Sequence, residues 1–146
     1  MFTHLFGKPI SMKGSILGFQ ELDTFVLTPV DQDNPETPFA YLQSLEQSEI
    51  GFLVTNPFAF IRDYEFKLSE QDVANLRSND PEKIMVLNIV TIATPFADST
   101  VNLLAPILIQ NDELIGIQAV LTGDNHYTTR DQLFRRPSNE GGEPEC

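Results

Sequence analysis

A chain of 146 residues, 41% of them hydrophobic and with eleven Phe, has the size of one ordinary domain and the material for one sizeable core. Its net charge of −12, from 21 Asp and Glu against 9 Lys and Arg, repels nucleic-acid phosphates and anionic lipid, so neither direct RNA or DNA binding nor a membrane partner is expected. No apolar run approaches the roughly eighteen residues that span a bilayer, MFTHLFGKPISMKG lacks the apolar core of a secretory signal, and Cys146 is the sole cysteine, so a cytoplasmic chain without an internal disulfide or thiolate metal site is expected.

Period-2 apolar segments, broken at short intervals by Pro, Asn, Asp and Gly, predict a mainly β chain of sandwich or barrel type, with one domain over residues 1–134. Residues 25–30 form the first clear strand, closed by the turn chemistry of Asp31-Gln32-Asp33-Asn34-Pro35. Residues 39–45 fit a strand or a short helix, and 50–55 a strand that stops at Asn56-Pro57. One helix is expected over about residues 69–77. Ser69 caps it, Asp72 lies near its positive end, and Leu68 and Val73 have the spacing of a hydrophobic staple. The helix should end before Ser78-Asn79-Asp80-Pro81, because a proline disfavours helical geometry in the residue ahead of it. Residues 83–93 make the longest strand, apolar on both faces and therefore central, with Ile92 on one of the buried faces. Residues 104–109 and 114–121 flank Gln110-Asn111-Asp112-Glu113 as an antiparallel hairpin. The polar tail 135–146 is expected to be disordered.

Catalytic chemistry is thin. His4 and His126 lie far apart and neither has a second His or Cys at metal-ligand spacing, and no Gly-rich phosphate loop occurs. Asp124-Asn125-His126 with a nearby serine is the one conceivable hydrolytic set, against the simpler reading of a polar turn. No catalytic, cofactor or metal site is expected. What remains are polar and kinked positions inside apolar segments. Pro106 removes a ladder donor and belongs at a strand start, a bulge or an edge where a partner chain adds, or at a simple bend. Asn102, ahead of Leu103, suits a buried side chain bonding neighbouring backbone. Asn56-Pro57-Phe58 is a turn that leaves Phe58 available as an anchor, and Asp63-Tyr64-Glu65 either packs Tyr64 with its hydroxyl bonded or extends an acidic face. That face is marked by the absence of any base between Lys13 and Arg62, a span holding Glu21, Asp23, Asp31, Asp33, Glu36, Glu46 and Glu49: a solvated surface or a dock for a basic partner.

Read in order, GSILGF (14–19), FVLTPV (25–30), YLQSLE (41–46), GFLVTNPF (51–58), DYEF (63–66), VLNIVTI (86–92), STVNLLAPILI (99–109), Gly116-Ile117-Gln118, and Tyr127 with Arg130 resemble the flagellar assembly factor FliW family. Leu17 stands where that family usually has a proline, the strand before Gly14 is shortened, and the tail lies outside the pattern. The resemblance implies a small antiparallel β-barrel-like domain without enzymatic activity. It also implies two partners, flagellin and the dimeric RNA-binding translational repressor CsrA, the carbon storage regulator. FliW would hold CsrA off flagellin mRNA until flagellin takes FliW away; a flagellin export chaperone without a CsrA role is the alternative. For the CsrA contact the expected residues are Glu46 and Glu49, then Asp63 and Tyr64. For flagellin they are the turn and edge positions Asn56, Pro57 and Phe58 and the stretch Asn102 to Ile107, with Leu103 and Pro106 in it, taken to be exposed.

Overall fold

A computed structural model describes residues 2–123 and 126–134; the tail 135–146 and the pair Asp124-Asn125 lie outside them. Strands dominate because the period-2 segments form nearly where they are written: β1 (Ile10–Ser11), β2 (Thr24–Pro29), β3 (Phe39–Ser44), β4 (Gly51–Thr55), β5 (Ile84–Thr91), β6 (Thr100–Val101), β7 (Ile107–Gln110), β8 (Ile115–Gln118) and β9 (Asp131–Gln132). The ambiguous segment 39–45 is a strand, β3, held between β2 and β4 in long antiparallel registers, Leu42 lying opposite both Leu27 and Phe52. Its Ala40 and Leu42 are fully buried while Tyr41 is exposed, which is the alternation of a one-sided strand.

The strand order is β4-β3-β2-β1-β8-β7-β5-β6-β9, with β4 also paired to β5. That last pairing bends seven strands into a ring, so the sheet is barrel-like. The ring is joined where β1 meets β8 in parallel through Ser11 and Ile115, a pairing between residues far apart in sequence. Inside it lies a core that includes Phe2, Ile10, Met12, Phe25, Leu42, Val54, Leu87 and Ile107, all with essentially no exposure. Gly116 keeps this core closed: a Cβ there would meet the Met12 sulfur at 2.5 Å.

The single α-helix among the described residues, α1 (Glu70–Leu76), forms as its sequence specifies. Ser69 Oγ accepts from Asp72 N–H and the Asp72 carboxylate accepts from Ser69 N–H, a capping box that satisfies two of the helix's orphan donors. Arg77 closes it in the left-handed conformation at φ 60°. Leu76, fully buried against Leu108, Ile117 and Ala119, fastens α1 to β7 and β8, and such a burial stabilises by about 1.5–3 kcal/mol. Gln110 Nε2 donates to Leu76 C=O at 3.2 Å, so the helix end is bonded as well as packed.

β5 is central, with β4, β6 and β7 as neighbours, but it is not apolar on both faces throughout. Ile84, Met85 and Val86 are only half-buried, and Ile92, expected in the core, is 60% exposed beyond the strand's end at Thr91. The hairpin β7–β8 is antiparallel as predicted, Leu108 facing Ile117, with its loop closed by Leu114 at φ 57°. Asp31-Gln32-Asp33-Asn34 is a turn in which Asp31 Oδ1 accepts from Asp33 N–H at 2.9 Å.

Candidate protein-binding surfaces

The acidic span between Lys13 and Arg62 is largely exposed, Asp23 being the half-buried exception among its seven carboxylates. Its members do different things. Glu46 Oε1 accepts from Asp23 N–H at 2.7 Å and Thr24 N–H at 3.2 Å, so this carboxylate ties the loop after β3 to the start of β2. Asp23 in turn accepts from Ser11 Oγ at 3.1 Å, linking the same corner to β1. Glu49 lies exposed in the β3–β4 turn and is the freer of the two glutamates to meet a cation in solution. Leu45, 53% exposed between them and the strand, adds an apolar surface beside the acids.

A second surface lies where the β4–β5 pairing ends. Asn56 Oδ1 accepts from Phe58 N–H at 3.0 Å and caps a 3-10 turn, Pro57–Ala59. Pro57 is buried, while Phe58 is 43% exposed with its ring 6.1 Å from that of Tyr64. Tyr64 is itself buried, and its hydroxyl donates to Leu103 C=O at 2.6 Å. It is therefore the packed alternative for that residue, and of the triplet only Asp63 and Glu65 face solvent. Burial is the main reason its phenol is pushed well above the ordinary value of 10.0. Phe58, Tyr64, Phe66, Ile84, Met85 and Val86 line a groove of about 860 Å³.

Asn102, Leu103 and Pro106 do not form the exposed edge expected of them. Leu103 is fully buried, its carbonyl the acceptor for Tyr64, and Pro106 is buried immediately ahead of β7, its carbonyl accepting from Ala119 N–H at 2.9 Å. Pro106 is thus at a strand start, which needs no ladder donor from it. Asn102 is half-buried, and its Oδ1 accepts from Ala105 N–H at 3.0 Å, the backbone-bonding role that its chemistry suggested.

Asn88 is the residue that the sequence reading passed over. Fully buried in β5, it donates from Nδ2 to Asn102 C=O at 2.8 Å and to the Tyr64 hydroxyl at 3.3 Å, so the three polar positions are one network crossing from β5 to the 102–106 loop. An Asn inside the apolar run VLNIV was the available signal. As for the hydrolytic set, the His126 ring lies tilted against that of Tyr127 at a centroid distance of 4.8 Å, while Asp124 and Asn125 fall outside the described residues. Among the described residues no three His, Cys, Asp or Glu are placed to hold a metal ion, and no helix is long and apolar enough to cross a membrane.

Comparison with known proteins gives one consistent answer. The family model described as FliW protein matches residues 5–133. The flagellar assembly factor FliW of Clostridium botulinum (strain 657 / Type Ba4) is 37% identical over 126 residues, 86% of this chain and 85% of that one. The flagellar assembly factor FliW of Bacillus subtilis (strain 168) is 38% identical over 121 residues, 83% and 82% of the two chains. A crystal structure of the flagellar assembly factor FliW superposes with a TM-score of 0.80 at 34% identity, covering 88% of this chain and 87% of that one.

Proposed function

Because the chain belongs to the FliW family and is a flagellar assembly factor, we propose that it works in the cytoplasm by protein binding, without catalysis, as the antagonist of the translational repressor CsrA and as a partner of flagellin. The observation that carries this reading is the family match over residues 5–133, with 85% of the Clostridium botulinum relative covered. The exposed carboxylates and the net charge of −12 support it, since an acidic domain complements a basic RNA-binding protein. In the partner switch, free protein keeps CsrA from flagellin mRNA, and accumulating flagellin draws the protein away until secretion drains the pool. Flagellin and CsrA must then weaken each other's binding by the same equilibrium factor, because coupling between sites is reciprocal.

Calorimetric titration into purified CsrA, repeated with flagellin already bound, tests the switch. Binding to CsrA that flagellin weakens is expected. An unchanged CsrA affinity would overturn the switch, and binding to flagellin alone would leave an export chaperone.

A further inference from the structure

We propose that the groove beside Phe58 takes an extended, basic segment of a partner protein, which adds to the open edge of β5 as an extra antiparallel or parallel strand. The ladder between β4 and β5 contains only Val54 opposite Ile89 and Thr55 opposite Asn88. Continued by two residues it would bring Pro57 opposite Val86, and proline has no N–H to donate. The chain instead turns away through Asn56 into the 3-10 turn at Pro57–Ala59. β5 runs on without it, Ile84–Leu87 pairing on the other side with β7.

Which backbone groups this leaves open follows from the ladder. Lys83 C=O accepts from Asn111 N–H at 2.8 Å on the β7 side. In an antiparallel pair such bonds alternate, so Met85 and Leu87 also turn toward β7, while Ile84 and Val86 turn toward the abandoned side. Ile84 N–H is taken by Pro81 C=O, which leaves Ile84 C=O and both backbone groups of Val86 without a strand partner there. Side chains of successive strand residues point to opposite faces, yet Ile84, Met85 and Val86 all line the groove. The groove therefore follows the strand's edge, and Leu108 and Asn111 continue its lining over the adjoining sheet face.

The walls select the occupant. Phe58, Phe66 and Leu68 supply apolar flanks for alternate side chains, and the charged groups among the described lining residues are the carboxylates Glu65 and Glu82, with no Lys or Arg among them. The nearby Lys83 is held by Asp112 at 3.1 Å and does not neutralise that rim. An edge of this kind binds by main-chain hydrogen bonds, with pockets and charge setting the choice of sequence. The matching segment alternates apolar residues with Lys or Arg. This inference deepens the protein-binding reading and rests on it for the source of the segment.

The test uses the full chain and a blocked heptapeptide, Lys-Val-Lys-Val-Lys-Val-Lys, titrated to millimolar concentration while backbone amide signals are followed by NMR. Shifts concentrated at residues 84–87 are expected. N-methylation of the peptide's valine nitrogens should abolish them, and the Glu65→Lys, Glu82→Lys double variant should weaken binding by about tenfold or more. Equal binding of the N-methylated peptide, shifts elsewhere, or no binding would each overturn strand addition. Parallel titrations with CsrA and flagellin separate the two readings. A bound partner with a silent peptide removes strand addition alone, whereas a peptide on the β5 edge with neither partner bound removes the assembly-factor mechanism and leaves the edge site standing.

Discussion

The phenol of Tyr64 holds two parts of the molecule together with one oxygen, donating to Leu103 C=O and accepting from Asn88 Nδ2. Tyr64→Phe would leave a buried carbonyl without its donor while keeping the ring's packing. A loss of about 1–3 kcal/mol in urea unfolding is expected, the usual cost of an unpaired buried polar group. The effect has a pH signature. The folded phenol titrates above its ordinary value of 10.0, so its contribution is fully present below pH 10.0 and is lost as pH rises beyond it. The stability gap between the parent and Tyr64→Phe should therefore narrow above that pH; a constant gap would show that the hydroxyl does not stay protonated by burial. Glu46 and Glu49 divide the acidic face in a second experiment. Glu46 braces two backbone N–H groups whereas Glu49 is simply exposed. Glu46→Lys should lower stability by about 0.5–1.5 kcal/mol, while Glu49→Lys should leave unfolding unchanged and act only on association with a basic partner.

At the scale of elements, α1 was legible to within a residue because every instruction for it is local: a cap, a staple and a proline stop. Ser69→Ala removes the cap and should cost about 1 kcal/mol, read from thermal unfolding. β3 was ambiguous because its six residues are settled by neighbours on both sides, Leu27 and Phe52 about Leu42, and not by its own pattern. The same limit explains the misplaced surface. From sequence, a proline and an Asn within apolar residues 102–109 look like an interrupted edge, since nothing local says that Tyr64 and Asn88 arrive to bond that loop. The groove was invisible for the converse reason, because it is made by β5 outrunning β4, a relation between two lengths. Asn56, Phe58 and Tyr64, each a candidate contact from sequence, belong to both descriptions. Gly116 sits in β8 against Met12 and Leu108 C=O, and Gly116→Ala should destabilise by about 1–3 kcal/mol, unless the Met12 thioether swings aside, in which case the loss will fall below that range.

For the whole molecule, a charge of −12 is felt both within the chain and by its partners. Added salt should raise its thermal stability by screening self-repulsion, and, under the proposed binding of CsrA, should slow that association, the on-rate being the quantity that electrostatic steering governs. An on-rate indifferent to ionic strength would assign the acids to solubility alone. The joint between β1 and β8 sets a timetable as well as a shape. Ser11 leaves the ribosome long before Ile115, so the ring has no means of closing on a chain still lacking its last hairpin. During synthesis, β2, β3 and β4 can form a meander, but the interior between Phe25 and Ile107 waits for the C-terminal quarter. A chain released early would expose that core, and the apolar faces of the β2–β4 meander would stay open to aggregation until β7 and β8 arrive.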